Sequence, residues 1–322
     1  FTLLEDLGYL PRVAFNLDRC FKKCDACGYG GFKITTNLPE GVTIVPVNGS
    51  KSFVEPGESY FFKVEIAEGY AKTNDFMVKV NGIEIEDDDD VYIIEDINED
   101  KLILVTDVVK SETYVSGVLM KPGDYLAVGA SATTKEKPAG GYAYLEDYDT
   151  LVLHNYSTSA GYEIMGGLVS IYSTDPYLYI CLEGENSLTP AVEMTGGILA
   201  MGSMYLYGDS DSSLTIHTDS FAIQSISDMY FWGGVYRFNS AIGSGGCIDI
   251  DSDSDISISA PVLGITAEDV YIYAGSLKIT DCRTAAISAN SIAVYSGYVD
   301  ICSAATGADD DTYYAVSVEP YI

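Results

Sequence analysis

Positive charge is scarce in this 322-residue chain: 17 Lys and Arg stand against 48 Asp and Glu, a formal net charge of −31. A surface of that sign repels nucleic acid and anionic lipid head groups and attracts cations. The shortage is sharpest after Gly140, where Arg237, Lys278 and Arg283 face two dozen carboxylates. No apolar run approaches the ~20 residues that cross a bilayer as a helix, so neither membrane insertion nor a nucleic-acid partner is expected. The N-terminal Phe1–Asp6 stretch lacks the basic and apolar regions of a signal peptide. Seven cysteines, an odd number, cannot all pair within the chain and are too sparse for a disulfide-stapled scaffold. There are two histidines, His154 and His217, and they fall in separate turns of the pattern described next.

What the chain has in plenty is apolar residues (47%) and tyrosine (26), enough to build a real core and to argue against disorder. Three zones are read. Residues 1–33 hold Cys20, Cys24 and Cys27 in a short basic stretch. Residues 34–110 read as a small β-sandwich-like domain, with strands near Val42, Tyr60, Phe76, Val91 and Leu102 and turns at Asn48-Gly49, Pro56-Gly57 and Asn81-Gly82. Residues 111–322 repeat. Leu214/Ile216, Tyr236/Phe238, Ile256/Ile258, Leu277/Ile279 and Val299/Ile301 recur every 20 to 22 residues. A second series runs in phase from Met204, Met229, Val270 and Ile292, and a third through Ile198, Ile223, Ile242, Ile265 and Ile287. Three short strands per turn, with Gly, Ser, Asp and Asn between them, is the pattern of a parallel β-helix. The expected fold is all-β, with a right-handed C-terminal coil whose regular turns start near Tyr142.

The repeat region resembles a family of bacterial surface proteins described as carbohydrate-binding-domain-containing β-helix proteins, solenoids shaped like pectate lyases. The likeness runs over about residues 115–322 and rests on Thr150–Tyr156, on the Leu182-x-Gly184-x-Asn186-x-Leu188-Thr189 step, on Gly197–Ala200, and on the units from Ala286 to Ile301. The stretches Ala67–Tyr70, Val78–Gly82 and Tyr92–Ile97 separately resemble a small β repeat of Gram-positive surface proteins. Both resemblances imply an extracellular or cell-surface protein, and the first implies binding of polysaccharide or cell-wall glycan. Neither assigns a binding role to a numbered residue.

Candidate chemistry follows from alternation along the second strand series. Met204, Leu206, Met229, Phe231, Val270, Ile272, Ile292 and Val294 share one parity and should point inward. The other parity then presents Tyr205, Tyr207, Tyr230, Trp232, Tyr271, Tyr273 and Tyr295 outward, with Asp249 and Asp251 in the same columns. Flat rings suit the apolar faces of sugars, and carboxylates or a bound Ca²⁺ suit their hydroxyls. The same ladder would serve as an interface, or stabilise the coil by stacking alone. Asp249, Asp251 and Asp253 alternate and are the expected calcium ligands, since Ca²⁺ takes several hard oxygens; solvated loop charge is the plainer account of each acidic run. Cys20, Cys24 and Cys27 have C-x3-C-x2-C spacing, compatible with an iron–sulfur cluster, with part of a zinc site or with disulfides. A polyuronate lyase would need a base beside calcium-binding carboxylates, but Arg237 and Lys278 belong to the third-strand columns, away from Asp249 and Asp251. The expectation is therefore a non-enzymatic, polysaccharide-binding surface protein. The alternatives are a subunit that self-assembles into a filament through open β edges and, third, a polyuronate lyase.

Overall fold

The computed structural model describes residues 31–47, 49–164, 166–190, 195–251, 253–303 and 316–318. Cys20, Cys24 and Cys27, and the Asp309–Asp311 run, lie outside the described residues. The chain divides into two compact units, one containing residues up to Glu68 and Asp75–Val108, the other Gly69–Asn74 and everything from Val109 onward.

The first unit is a pair of sheets over one core. Its 5-stranded sheet runs in the order Phe53–Val54, Phe32–Asn37, Lys101–Lys110, Tyr70–Val80, Ile83–Glu84, and its 4-stranded sheet in the order Val42–Pro46, Tyr60–Ile66, Val91–Ile94, Asp87–Asp88. One residue of each alternating pair turns inward, so Ile34, Phe62, Val78, Tyr92, Ile103 and Val105 form a single cluster. Phe62 and Tyr92 stack at 5.3 Å within it.

The second unit is the parallel solenoid that the repeat implies. Its three sheets each collect one strand per turn. The tyrosine-bearing sheet takes Thr150–His154, Tyr177–Glu183, Ser203–Gly208, Met229–Trp232, Cys247–Ile250, Asp269–Ile272 and Ser291–Val294. Their inward residues lie in register, Leu178 over Met204, Met229, Ile248, Val270 and Ile292. The first five of these are wholly buried. Each turn therefore covers the apolar edge of its neighbour, which is why no turn needs a core of its own. The 7-stranded sheet is parallel throughout and includes Gly234–Phe238, Ser254–Ser259 and Ser276–Cys282. The third sheet includes Thr195–Ala200, Phe221–Ser225 and Ala241–Ser244.

Two sequence expectations need correction. The coil does not start near Tyr142. Tyr142–Leu145 pairs antiparallel with both Asp124–Ala127 and Thr150–His154, and Thr113–Val115 pairs antiparallel with Ile171–Ser173. Parallel stacking begins at Thr150–His154, and these antiparallel strands cover that end of the coil. The second correction concerns the corner between the tyrosine-bearing and 7-stranded sheets. There most turns place a residue with positive φ directly before the next strand, Gly184, Gly233, Asp253, Gly275 and Gly297, while the corner at residues 209–212 does without one. Asp253, at φ 62°, holds the place that glycine takes elsewhere, which Asp tolerates better than most side chains.

The Leu182–Thr189 step has a physical basis. Asn186 is buried, accepts the Tyr156 backbone N–H at 2.8 Å, and donates to the carbonyls of Glu183, Gly184 and Ser213. One side chain thus satisfies backbone groups of three adjacent turns at a corner where the ladder hydrogen bonds stop.

Candidate functional site on the tyrosine-bearing sheet

The outward residues of this sheet form two principal columns. In one, Thr150, Tyr179, Tyr205, Tyr230, Asp249, Tyr271 and Ala293 are successive register partners. In the other, Cys181 pairs with Tyr207 and Tyr207 with Trp232; two turns further on Tyr273 stacks on Tyr295. All seven aromatic positions read from the sequence lie on this face, and none is buried. Tyr179 was not anticipated. It stands 26 residues before its partner Tyr205, in a turn that precedes the start of the second strand series at Met204.

The rings do not lie flat and open to solvent as expected. Tyr179 and Tyr205 stack at 4.6 Å and 17°, and Tyr205 and Tyr230 at 4.6 Å and 5°. Parallel strands place like side chains about 4.8 Å apart, the separation at which rings cover one another. Within a stack both faces of Tyr205 are taken and its edge faces outward. Free faces occur where the stack breaks. Among the described residues, ring contacts on this face stop at Tyr230 and Trp232 and resume at Tyr271 and Tyr273, with the Asp249 turn between them. Trp232, tilted 58° from Tyr207 and 37% exposed, lies at that break, as does Tyr273, 42% exposed.

Asp249 forms the floor of the break. Its Oδ1 is buried without a hydrogen-bond partner among the described residues. Burial, with Asp228 and Asp251 adding repulsion, pushes its carboxyl above the ordinary range. Burial likewise raises the phenols of Tyr230 and Tyr205 on the same face, and lifts Tyr207 to about 12.

The expected calcium trio does not come together. The strand ends at Ile250, so alternation no longer governs Asp253, which turns the corner and is exposed. Among the described residues no group of three or more His, Cys, Asp or Glu is arranged to hold a metal ion. Arg237 and Lys278 belong to the 7-stranded sheet, away from Asp249. His154 stacks on Tyr142 at 4.8 Å and hydrogen-bonds Glu183 through Nδ1 at 2.9 Å.

Comparison with family models, with curated proteins and with solved structures gives no match. No helix among the described residues is long and apolar enough to cross a membrane.

Proposed function

We propose that this β-solenoid protein binds polysaccharide at a cell surface or outside the cell, without catalysis, through the break in its tyrosine columns. The observation that carries the reading is the single carboxylate-bearing turn between two aromatic ones. Two turn spacings separate those aromatic levels by about 9.6 Å. A flat ring placed midway lies about 4.8 Å from each level, close to the spacing of the tyrosines themselves. A pyranose ring fits that slot, its apolar faces against Tyr230 and Tyr271 and its hydroxyls over the Asp249 carboxyl. Calcium enters only as a bridge: two carboxylates, of Asp249 and Asp251, supply a minority of the six to eight oxygens it takes, so sugar and water provide the rest.

A glycan array tests the reading. Trp232→Ala and Asp249→Asn are each expected to weaken the captured glycan at least tenfold, whereas Tyr295→Ala, at the far end of the face, leaves it unchanged. Binding insensitive to both changes at the break would remove this face from the argument. Self-assembly is a second reading, favoured by Ser291–Val294, the last strand of its sheet among the described residues, where Val294, expected to point inward, and Tyr295 and Tyr298 after it are each more than half exposed. Electron microscopy of concentrated protein showing single particles under all conditions would dispose of it.

A further inference from the structure

The three basic residues that follow Gly140 are too few to be incidental in a chain of this charge, and two of them share one column. On the 7-stranded sheet, Thr215, Arg237, Ser257, Lys278 and Asp300 are successive register partners. Their parity is outward: their neighbours Tyr236, Ile256 and Leu277 are wholly buried, while Arg237 and Lys278 are exposed. An open groove of about 390 Å³ runs along these turns, bordered by Thr215, Arg237, Ser257, Lys278 and Thr280.

The groove is lined by donors, most of them uncommitted. No carboxylate of the described residues lies within ion-pair distance of Arg237. The hydroxyls of Thr215 and Ser257 have no hydrogen-bond partner among the described residues. Lys278 meets Asp300 at 3.9 Å, a loose contact with both side chains well exposed, worth little in water. Arg237 and Lys278 stand two turns apart, about 9.6 Å, on either side of Ser257. Each side chain is long enough to lean over the serine from its own side.

We propose that this groove is an oxyanion site, and that the ligand is a tetrahedral anion, a phosphate or sulfate, free or as the ester of a larger molecule. The guanidinium offers a fork of N–H groups, the ammonium a point charge with three donors, and the serine and threonine add hydroxyls from the sheet itself. Donors converging from above, below and beneath match an anion whose acceptors point in four directions. A planar carboxylate would satisfy the arginine and leave the others idle. The net charge of the chain opposes binding at long range, but at physiological salt charges more than about 8 Å away are largely screened. The site is on a different sheet from the tyrosine columns, so neither proposal depends on the other.

The test is calorimetric titration of the full chain with sodium phosphate, sodium sulfate, glucose 6-phosphate and sodium acetate at constant ionic strength. Phosphate and sulfate are expected to bind at least tenfold more tightly than acetate. Arg237→Gln and Lys278→Gln should each weaken them about tenfold with no change in melting temperature. Glucose 6-phosphate tighter than inorganic phosphate assigns the groove to an ester, and the reverse order to the free ion. Acetate binding as well as sulfate, affinity indifferent to both substitutions, or no heat with any anion would overturn the proposal.

Discussion

Replacing Tyr236 by phenylalanine should make the protein more stable. Tyr236 is wholly buried, stacked between Leu214 and Ile256 in register and set edge-on to Phe231 at 5.0 Å. Its hydroxyl has no hydrogen-bond partner among the described residues, and burial pushes its pKa far up. Phenylalanine keeps the ring and leaves no cavity worth the name, so the change removes little besides the unsatisfied hydroxyl. A buried polar group without a partner costs about 1–3 kcal/mol, and most of that should return, giving a gain of about 1–2 kcal/mol. For a unit of this size that raises the melting temperature by about 2–8 °C. Tyr236→Ala, by contrast, removes the ring and should cost about 3–5 kcal/mol. Urea denaturation followed by far-ultraviolet circular dichroism reads both, with the slope against urea unchanged for the phenylalanine variant. A Tyr236→Phe protein that melts below the wild type would mean that the hydroxyl is paired, and the account of the inward column at this turn would be wrong.

The remaining predictions concern single turns. Asp253→Gly should match or exceed wild-type stability, whereas Asp253→Ala should lose about 1 kcal/mol because its φ is positive; glycan capture by both should equal that of wild type, and a loss in either would restore Asp253 as a ligand. Burial, together with the neighbouring Asp147, raises Asp149 to about 6. Its charged form is thus disfavoured in the fold, so its contribution falls as pH rises from about 4 through 6. Asp149→Asn should therefore stabilise the protein above pH 6 and make no difference below about pH 4, and a gain of the same size at both would refute the assignment. Tyr205→Leu, which empties a ring covered on both faces, should lower stability by about 1 kcal/mol and leave glycan affinity alone; Tyr230→Leu should lower both. EDTA should weaken glycan capture if calcium bridges Asp249 to the sugar, and unchanged capture would remove calcium from the reading.

How much of this was legible beforehand depends on the kind of information. Alternation is local, so the inward set Met204, Met229 and Val270 and the outward set Tyr205, Tyr230 and Tyr271 could be read from a few residues each. Strand direction is not local: Tyr142–Leu145 alternates like any strand of the coil, and nothing in its composition reports that both its partners run the other way. Phe32–Asn37 escaped notice because only Ile34 of its six residues is buried. The corner at Asp253 was misread since alternation was carried past Ile250 into a turn. Comparing it with Gly184, Gly233, Gly275 and Gly297 would have exposed the error, because four glycines in the equivalent place announce a left-handed residue.

Ring orientation was the deeper omission, and it changes what the face is for. A column of tyrosines at the strand-stacking distance spends its aromatic faces on itself, each pair contributing about 0.5–1.5 kcal/mol to the coil. Such a column stabilises the coil along its length, and the proposed sugar site falls where it is interrupted. Asp249, the one charged residue of that column and the one that interrupts its rings between Tyr230 and Tyr271, is therefore the position on which the proposed sugar site rests. The same logic holds on the 7-stranded sheet, where Ser257 is the short side chain between two long cations. In a solenoid, where every outward position repeats, recognition falls to the turn whose residue differs in size from those above and below it. Function in this chain is to be sought at its irregular turns, and the regular ones hold them in place.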